Sequence, residues 1–139
     1  MKTLLVSLLA AASLTACATN RMNDTDRLAM YQANAGEPVR QIRYRNAMGW
    51  DRVDGSHVLL NMRPTEAWLL ELSGNCLDWG GGSPGVQILS NSDWIVSKFD
   101  RLKAVASPVT CRIEEIRPID VKALRAAQKS ATDQASAGT

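Results

Sequence analysis

Along this chain the spacing of apolar residues changes from continuous to helical, then to alternating, and back to helical. Leu4 to Leu14 is an unbroken apolar run behind the single charge of Lys2. A positive start followed by ~7–15 apolar residues reads as a secretory signal peptide. The run is shorter than the ~20 residues a permanent bilayer span needs. Polar residues follow at once, so residues 1–16 read as a leader and residues 17–38 as a tether with a short helix. That helix is expected to open at Asp24-Thr25 and run over Asp26–Ala35, with Leu28, Met30 and Tyr31 as a partial apolar face. Gly36 and Glu37-Pro38 close it, because the residue before a proline is pushed out of the helical region.

From Val39 the period becomes two. Ile42 and Tyr44 alternate with Gln41, Arg43 and Arg45, which predicts a half-buried strand. His57–Met62 and Ala67–Leu72 follow as a hairpin around Arg63-Pro64-Thr65-Glu66, with Val58, Leu60 and Met62 on one side and Trp68, Leu70 and Leu72 on a matching face. Val86–Leu89 and Trp94–Asp100 read as further strands. In Val109–Arg117, Val109, Cys111 and Ile113 share a face, while Ile116 falls in the opposite phase. A slip at Glu114-Glu115 predicts a bulge. Pro118 ends that run, Asp120 caps a helix from Val121 to about Lys129, and the Ala-, Ser- and Thr-rich residues 130–139 read as a disordered tail. The expected fold is therefore mainly β (α+β). It is a small antiparallel sheet or partly open barrel of about five to seven short strands, with a short N-terminal and a C-terminal helix, in one domain over residues 39–129.

The segment Leu14-Thr15-Ala16-Cys17 changes the picture of where this domain lives, because it resembles the lipobox of bacterial lipoproteins. The resemblance implies cleavage before Cys17, a diacylglycerol on its thiol and a further acyl chain on its amine. Two or more chains hold a protein on a bilayer far more firmly than one. Ala18, rather than Asp, follows the cysteine, which by the same resemblance implies the outer membrane, with the domain facing the periplasm. An ordinary secretory cleavage after Ala16 or Ala18, with Cys17 incidental, is the alternative.

Of the 16 basic residues only Lys2 falls in the leader, which leaves 15 against 14 acidic ones. So even a balance argues against a nucleic-acid partner. With Cys17 assigned to lipid, Cys76 and Cys111 remain, an even pair in a compartment where disulfides persist; two free thiols are the alternative. Neither has a second Cys or a His at zinc-ligand spacing, so no metal and no cofactor is expected. Trp68–Cys76 and Cys111–Asp120 resemble the two signature stretches of a family of small exported Gram-negative proteins known only as a domain of unknown function. That resemblance covers most of Arg40–Asp120 and implies a shared fold and a Cys76–Cys111 bond, but brings no activity.

Candidate chemistry is sparse. His57, the one histidine, lies opposite the expected core face, as a surface or cross-strand residue rather than a general base. Asp78 would need Glu66, Glu71 or Glu114 across from it to act in a glycosidase-like pair. Trp68 and Trp94 sit in strand patterns and are expected in the core. Trp50 and Trp79 lie beside glycines, where a ring stacks on a ligand or caps the open end of a sheet. Arg40, Arg43, Arg45 and Arg52 form either a charged outer strand face or a stripe aimed at lipid headgroups or envelope polymers. The expected function is a non-catalytic, outer-membrane-anchored lipoprotein whose partners are the membrane, through the lipid on Cys17, and an envelope protein or polymer. A ligand-binding module using the Trp79–Gly85 loop for a sugar, peptide or lipid fragment is the alternative, ahead of a carboxylate-based envelope hydrolase.

Overall fold

A computed structural model describes residues 21–78 and 85–138 of the chain. Residues 1–16, expected to be a leader, and Cys17 and Trp79 lie outside the described residues. The elements in order are α1 (Asp24–Ala33), β1 (Gln41–Arg43), β2 (Gly49–Arg52), β3 (His57–Arg63), β4 (Glu66–Leu72), β5 (Val86–Leu89), β6 (Trp94–Val96), β7 (Arg101–Ala104), β8 (Cys111–Ile119) and α2 (Val121–Ala137). Six strands form one antiparallel sheet in the order β2-β3-β4-β8-β7-β5, while β1 and β6 pair separately as a two-stranded ribbon. The class is the expected one, mainly β with two helices, in the form of a barrel-like sheet that stays open.

The hairpin forms because both of its strands alternate about Pro64-Thr65. Val58 pairs with Leu70 and Leu60 with Trp68, which turns Val58, Leu60, Leu70 and Leu72 toward the barrel interior. There they meet Ile42, Ile95, Leu102, Ile113 and Ile116. Fully burying one such side chain contributes roughly 1.5–3 kcal/mol. The opposite face of the hairpin is also buried. Leu59, Ala67 and Leu69 pack with Val53 and Ile119 under Tyr31 of α1 and Leu124 of α2. The sheet is thus covered on one side by helices and on the other by the ribbon.

The bulge lies where the phase slip puts it. Glu71 pairs with Glu115 but Leu72 pairs with Ile113, so the residue between is unmatched, and Ile113 and Ile116 both reach the interior at 0% exposure. Pro118 does not end this strand. The Ile116 and Pro118 carbonyls accept from Val39 and Gly36, so the missing N–H of Pro118 faces that segment and not β4.

Other boundaries differ from expectation. α1 starts two residues earlier, capped by Asn23, whose side chain accepts from the Asp26 N–H at 2.8 Å. It ends at Ala33 because Ala35 is claimed by a bridge to Ile119. Trp94–Asp100 is not one strand: after Val96 the chain turns at Lys98, whose φ of 67° is left-handed, and continues as β7. β2 and β7 bring the strand count to eight. The tail is a correction as well, since α2 continues to Ala137. Alanine is the best helix former, and the Thr132 and Ser136 hydroxyls donate back to the carbonyls of Gln128 and Thr132. Among the described residues no helix is long and apolar enough to cross a membrane.

Candidate functional site

The disulfide end of the sheet follows from the pairing of β4 with β8. Leu72 lies opposite Ile113, and the Ser73 N–H donates to the Arg112 carbonyl at 2.9 Å. The turn Ser73–Asn75 then delivers Cys76 to Cys111, and the two are bonded with their Cα atoms 6.0 Å apart. Both sulfurs belong to the barrel core. Leu77 is buried beside them, and its N–H donates to the Gly55 carbonyl at 3.0 Å.

Asp78 emerges from this anchor onto Arg52. The guanidinium donates to Asp78 Oδ1 and, through its two terminal nitrogens, to both oxygens of Asp24 at 3.1 and 2.9 Å. Arg27 extends the network, donating to Asp24 at 3.1 Å, to the Val53 carbonyl and to the Met22 carbonyl at 2.9 Å. One arginine thereby ties the start of α1, the end of β2 and the segment after the disulfide. The hydrogen bonds from Arg52 hold the Asp24 carboxyl below its usual range against the opposing effect of burial, and Asp24 in turn raises Arg52. A Cβ on Gly55 would sit 2.2 Å from Asp78 Oδ2, so any larger residue there would displace the Asp78 carboxylate from its present position.

Of its two expected settings His57 takes the cross-strand one, opposite Glu71. Its side chain is 12% exposed and its Nδ1 lies 2.9 Å from Asp54 Oδ1, with Ser56 Oγ at 3.2 Å. For Asp54, burial favours the neutral acid, but the bonds from His57 and from the Ser56 N–H outweigh it and lower the pKa. Cross-strand pairing sets Glu71 next to His57, and Glu115 next to Glu71. Glu115 is held by Arg117. The small recess shared by His57, Glu71, Glu115 and Arg117, at about 20 Å³, holds no substrate.

The carboxylates considered as partners for Asp78 are not gathered around it. Glu66 accepts from Trp68 Nε1 at 3.1 Å and faces Arg63, Glu114 is bound by Arg112, and Asp78 itself is neutralised by Arg52. Among the described residues no group of three His, Cys, Asp or Glu side chains is placed to hold a metal ion.

Trp50 pairs with Leu60 and packs half-buried against the barrel core. Trp68 is half-buried against the same core. Trp94 is not a core residue. The outward phase of β6 leaves it 40% exposed, with the Arg43 guanidinium 6.0 Å from its ring centroid. The Trp79–Gly85 loop lies outside the described residues except for Gly85.

A cleft that the sequence does not reveal opens instead between α2 and the β2–β3 end of the sheet. Its volume is about 370 Å³. Leu59, Ala67 and Leu124 form its floor, and Asp51, Asn61 and Arg125 its rim. Tyr31, 5% exposed, sits at its inner end and accepts from Gln128 Nε2 at 3.3 Å. Burial, followed by the charge of Asp51, raises its pKa. The residues are scattered over α1, β2, β3 and α2, so no local motif carries them.

Compared with known proteins, residues 1–135 match the family model described as a family of unknown function, DUF6491. No curated protein and no solved structure matches the chain.

Proposed function

The chain belongs to this family of unknown function, and we propose that it is a non-catalytic lipoprotein held on the periplasmic side of a Gram-negative outer membrane by lipid on Cys17. The observation that carries this reading is Leu14-Thr15-Ala16-Cys17 at the end of the Leu4–Leu14 run. The Cys76–Cys111 bond supports it, because such bonds persist in oxidising compartments and are rare in the cytosol. The ion pairs support the non-catalytic part: Asp78, Glu114 and Glu115 are each occupied by an arginine. An acid–base pair needs two carboxyl groups facing one substrate. Palmitate labelling in a Gram-negative host tests the anchor. The protein is expected to take up label and to fractionate with outer membranes, and Cys17→Ser to abolish both; label that survives the substitution overturns the reading.

The cleft favours a second reading, a ligand-binding module. Its size lies within the ~300–1,000 Å³ of small-molecule sites, and polar groups converge over an apolar floor. Gly85, the one described residue of the Trp79–Gly85 loop, does not line it. Nuclear magnetic resonance titration with muropeptides and short-chain fatty acids is expected to move Tyr31, Asn61 and Gln128; shifts scattered elsewhere, or none, remove this reading.

A further inference from the structure

The outward face of the β1–β6 ribbon is neither paired nor covered among the described residues. Ile42 and Ile95 point into the barrel at 4% and 0% exposure, so their neighbours point out. Arg43 and Trp94 lie opposite each other there, guanidinium over ring. Ser97 binds the Arg40 carbonyl twice, from its N–H at 2.9 Å and its Oγ at 3.0 Å, which sets Arg40 beside the turn after β6. In that turn Lys98 takes the left-handed conformation that an L side chain normally avoids, while its N–H is held by the Ile113 carbonyl. The next residue is Phe99, the chain's only phenylalanine, and it is 71% exposed.

Charge follows the same face. Arg40, Arg43, Arg45 and Lys98 lie on the ribbon, its flanks and its turn, with Arg101 just beyond at the start of β7; like Lys103 and the cations of α2, and unlike Arg27, Arg52, Arg63, Arg112 and Arg117, none of the five forms an ion pair with another described residue. Of the nearby acids, Asp100 is turned inward to accept from the Val96 N–H, and only Asp93 stays out. Unpaired cations interleaved with an exposed indole and an exposed phenyl ring match a bilayer interface. The cations meet phosphate headgroups, and the rings enter the boundary where one side is apolar and the other wet. A hydrated polymer would reward the cations but leave Phe99 in water.

We propose that the β1–β6 ribbon and the Ser97–Phe99 turn dock on the anionic phospholipid headgroups of a bilayer. This deepens the envelope reading and rests on it only for the compartment, since it does not require lipid on Cys17. From Cys17 to the cap at Asn23 the chain reaches at most ~20 Å, so a domain anchored there stays close to a membrane surface.

The test removes the lipid. All described elements lie between Asp24 and Ala137, so the chain is exported behind a cleavable leader that lacks the lipobox and starts at Ala18. It is then sedimented with vesicles of phosphatidylcholine alone or mixed equally with phosphatidylglycerol. Binding is expected only to the mixed vesicles and to fall with added salt. Since each surface cation contributes roughly fivefold, Arg43→Ser with Lys98→Ser should weaken it about 25-fold. Phe99→Ser should weaken it while leaving the salt dependence in place. Circular dichroism of the variants confirms that these exposed positions leave the fold intact. Equal binding to both vesicles, no binding to either, retention on isolated peptidoglycan sacculi instead, or wild-type binding by the variants would overturn the proposal. Palmitate labelling of the native protein is unaffected by any of these results, so the anchor and the docking face fail separately.

Discussion

Breaking the Cys76–Cys111 bond should remove a large part of the stability of this domain. The bond closes a separation of 35 residues, for which the chain-entropy model gives ~4 kcal/mol at 25 °C, between ~3 for a loop of 15 residues and ~4.7 for one of 100. A domain of this size holds only ~5–15 kcal/mol in total. The melting temperature should fall on the order of 15 °C, at about 4 °C per kcal/mol. The cleaner perturbation is Cys76→Ala with Cys111→Ala. Both positions are buried, at 2% and 7% exposure, and serine would add a cost of ~1–3 kcal/mol for each hydroxyl left unsatisfied. Urea titrations with and without reductant measure the effect. The reduced chain should unfold at a lower midpoint and with a steeper slope, because its denatured state is free to expand. The double variant should match the reduced protein and ignore reductant. A midpoint that reductant leaves unchanged, or two alkylatable thiols in the non-reduced protein, would refute the reasoning.

Ile116→Ala should cost ~2–5 kcal/mol in urea unfolding, because the bulge brings Ile116 into the interior beside Ile113 at 0% exposure, and an unchanged midpoint would contradict the register. Arg52→Met should cost about 1 kcal/mol, since its two carboxylate partners are nearly half exposed. Asp24 and Asp54 are both lowered in the folded state, so their stabilisation is complete above the unfolded carboxylate pKa, near 4, and disappears as pH falls through the depressed folded values. Thermal melts from neutral to strongly acidic pH should show that loss, and Arg52→Met should flatten the share due to Asp24. Ala131→Pro should break α2 at a local cost of ~3 kcal/mol and lower helical ellipticity. A spectrum like that of the wild type would mean that residues 130–137 are not helical in solution.

The parts of this fold that could be read in the sequence are those where one face is buried and the other is wet. Val58-Leu60 and Trp68-Leu70-Leu72 alternate cleanly, and the phase slip before Ile116 located the bulge. The same rule hid what lies on the second face. Leu59, Ala67 and Leu69 looked like ordinary intervening residues until α1 and α2 covered them. β2 and β7 are only four residues each, too short for a period to declare itself, and the left-handed turn at Lys98 has no glycine to mark it. Residues 130–137 have the composition of a linker and the helix propensity of alanine. Of the site residues, Cys76 and Cys111 were legible because pairing depends on count and compartment. The Arg52 network and the His57–Asp54 contact were not, because they rest on positions that only the folded sheet brings together.

A polypeptide is delivered N-terminus first, from a ribosome or through a membrane pore, and β8 is the last of the described strands to arrive. Before residues 111–119 arrive, β4 has an open edge, β7 has only β5 beside it, Ala35 and Val39 lack their bridges, and Cys76 lacks its partner Cys111. No smaller part of the barrel closes on its own. The waiting chain depends on pairings between distant segments, which form slowly because the loop entropy comes before the reward. Locking is therefore deferred until the last strand of the sheet has emerged. A chain built this way remains threadable for most of its passage and commits to its shape only at the end.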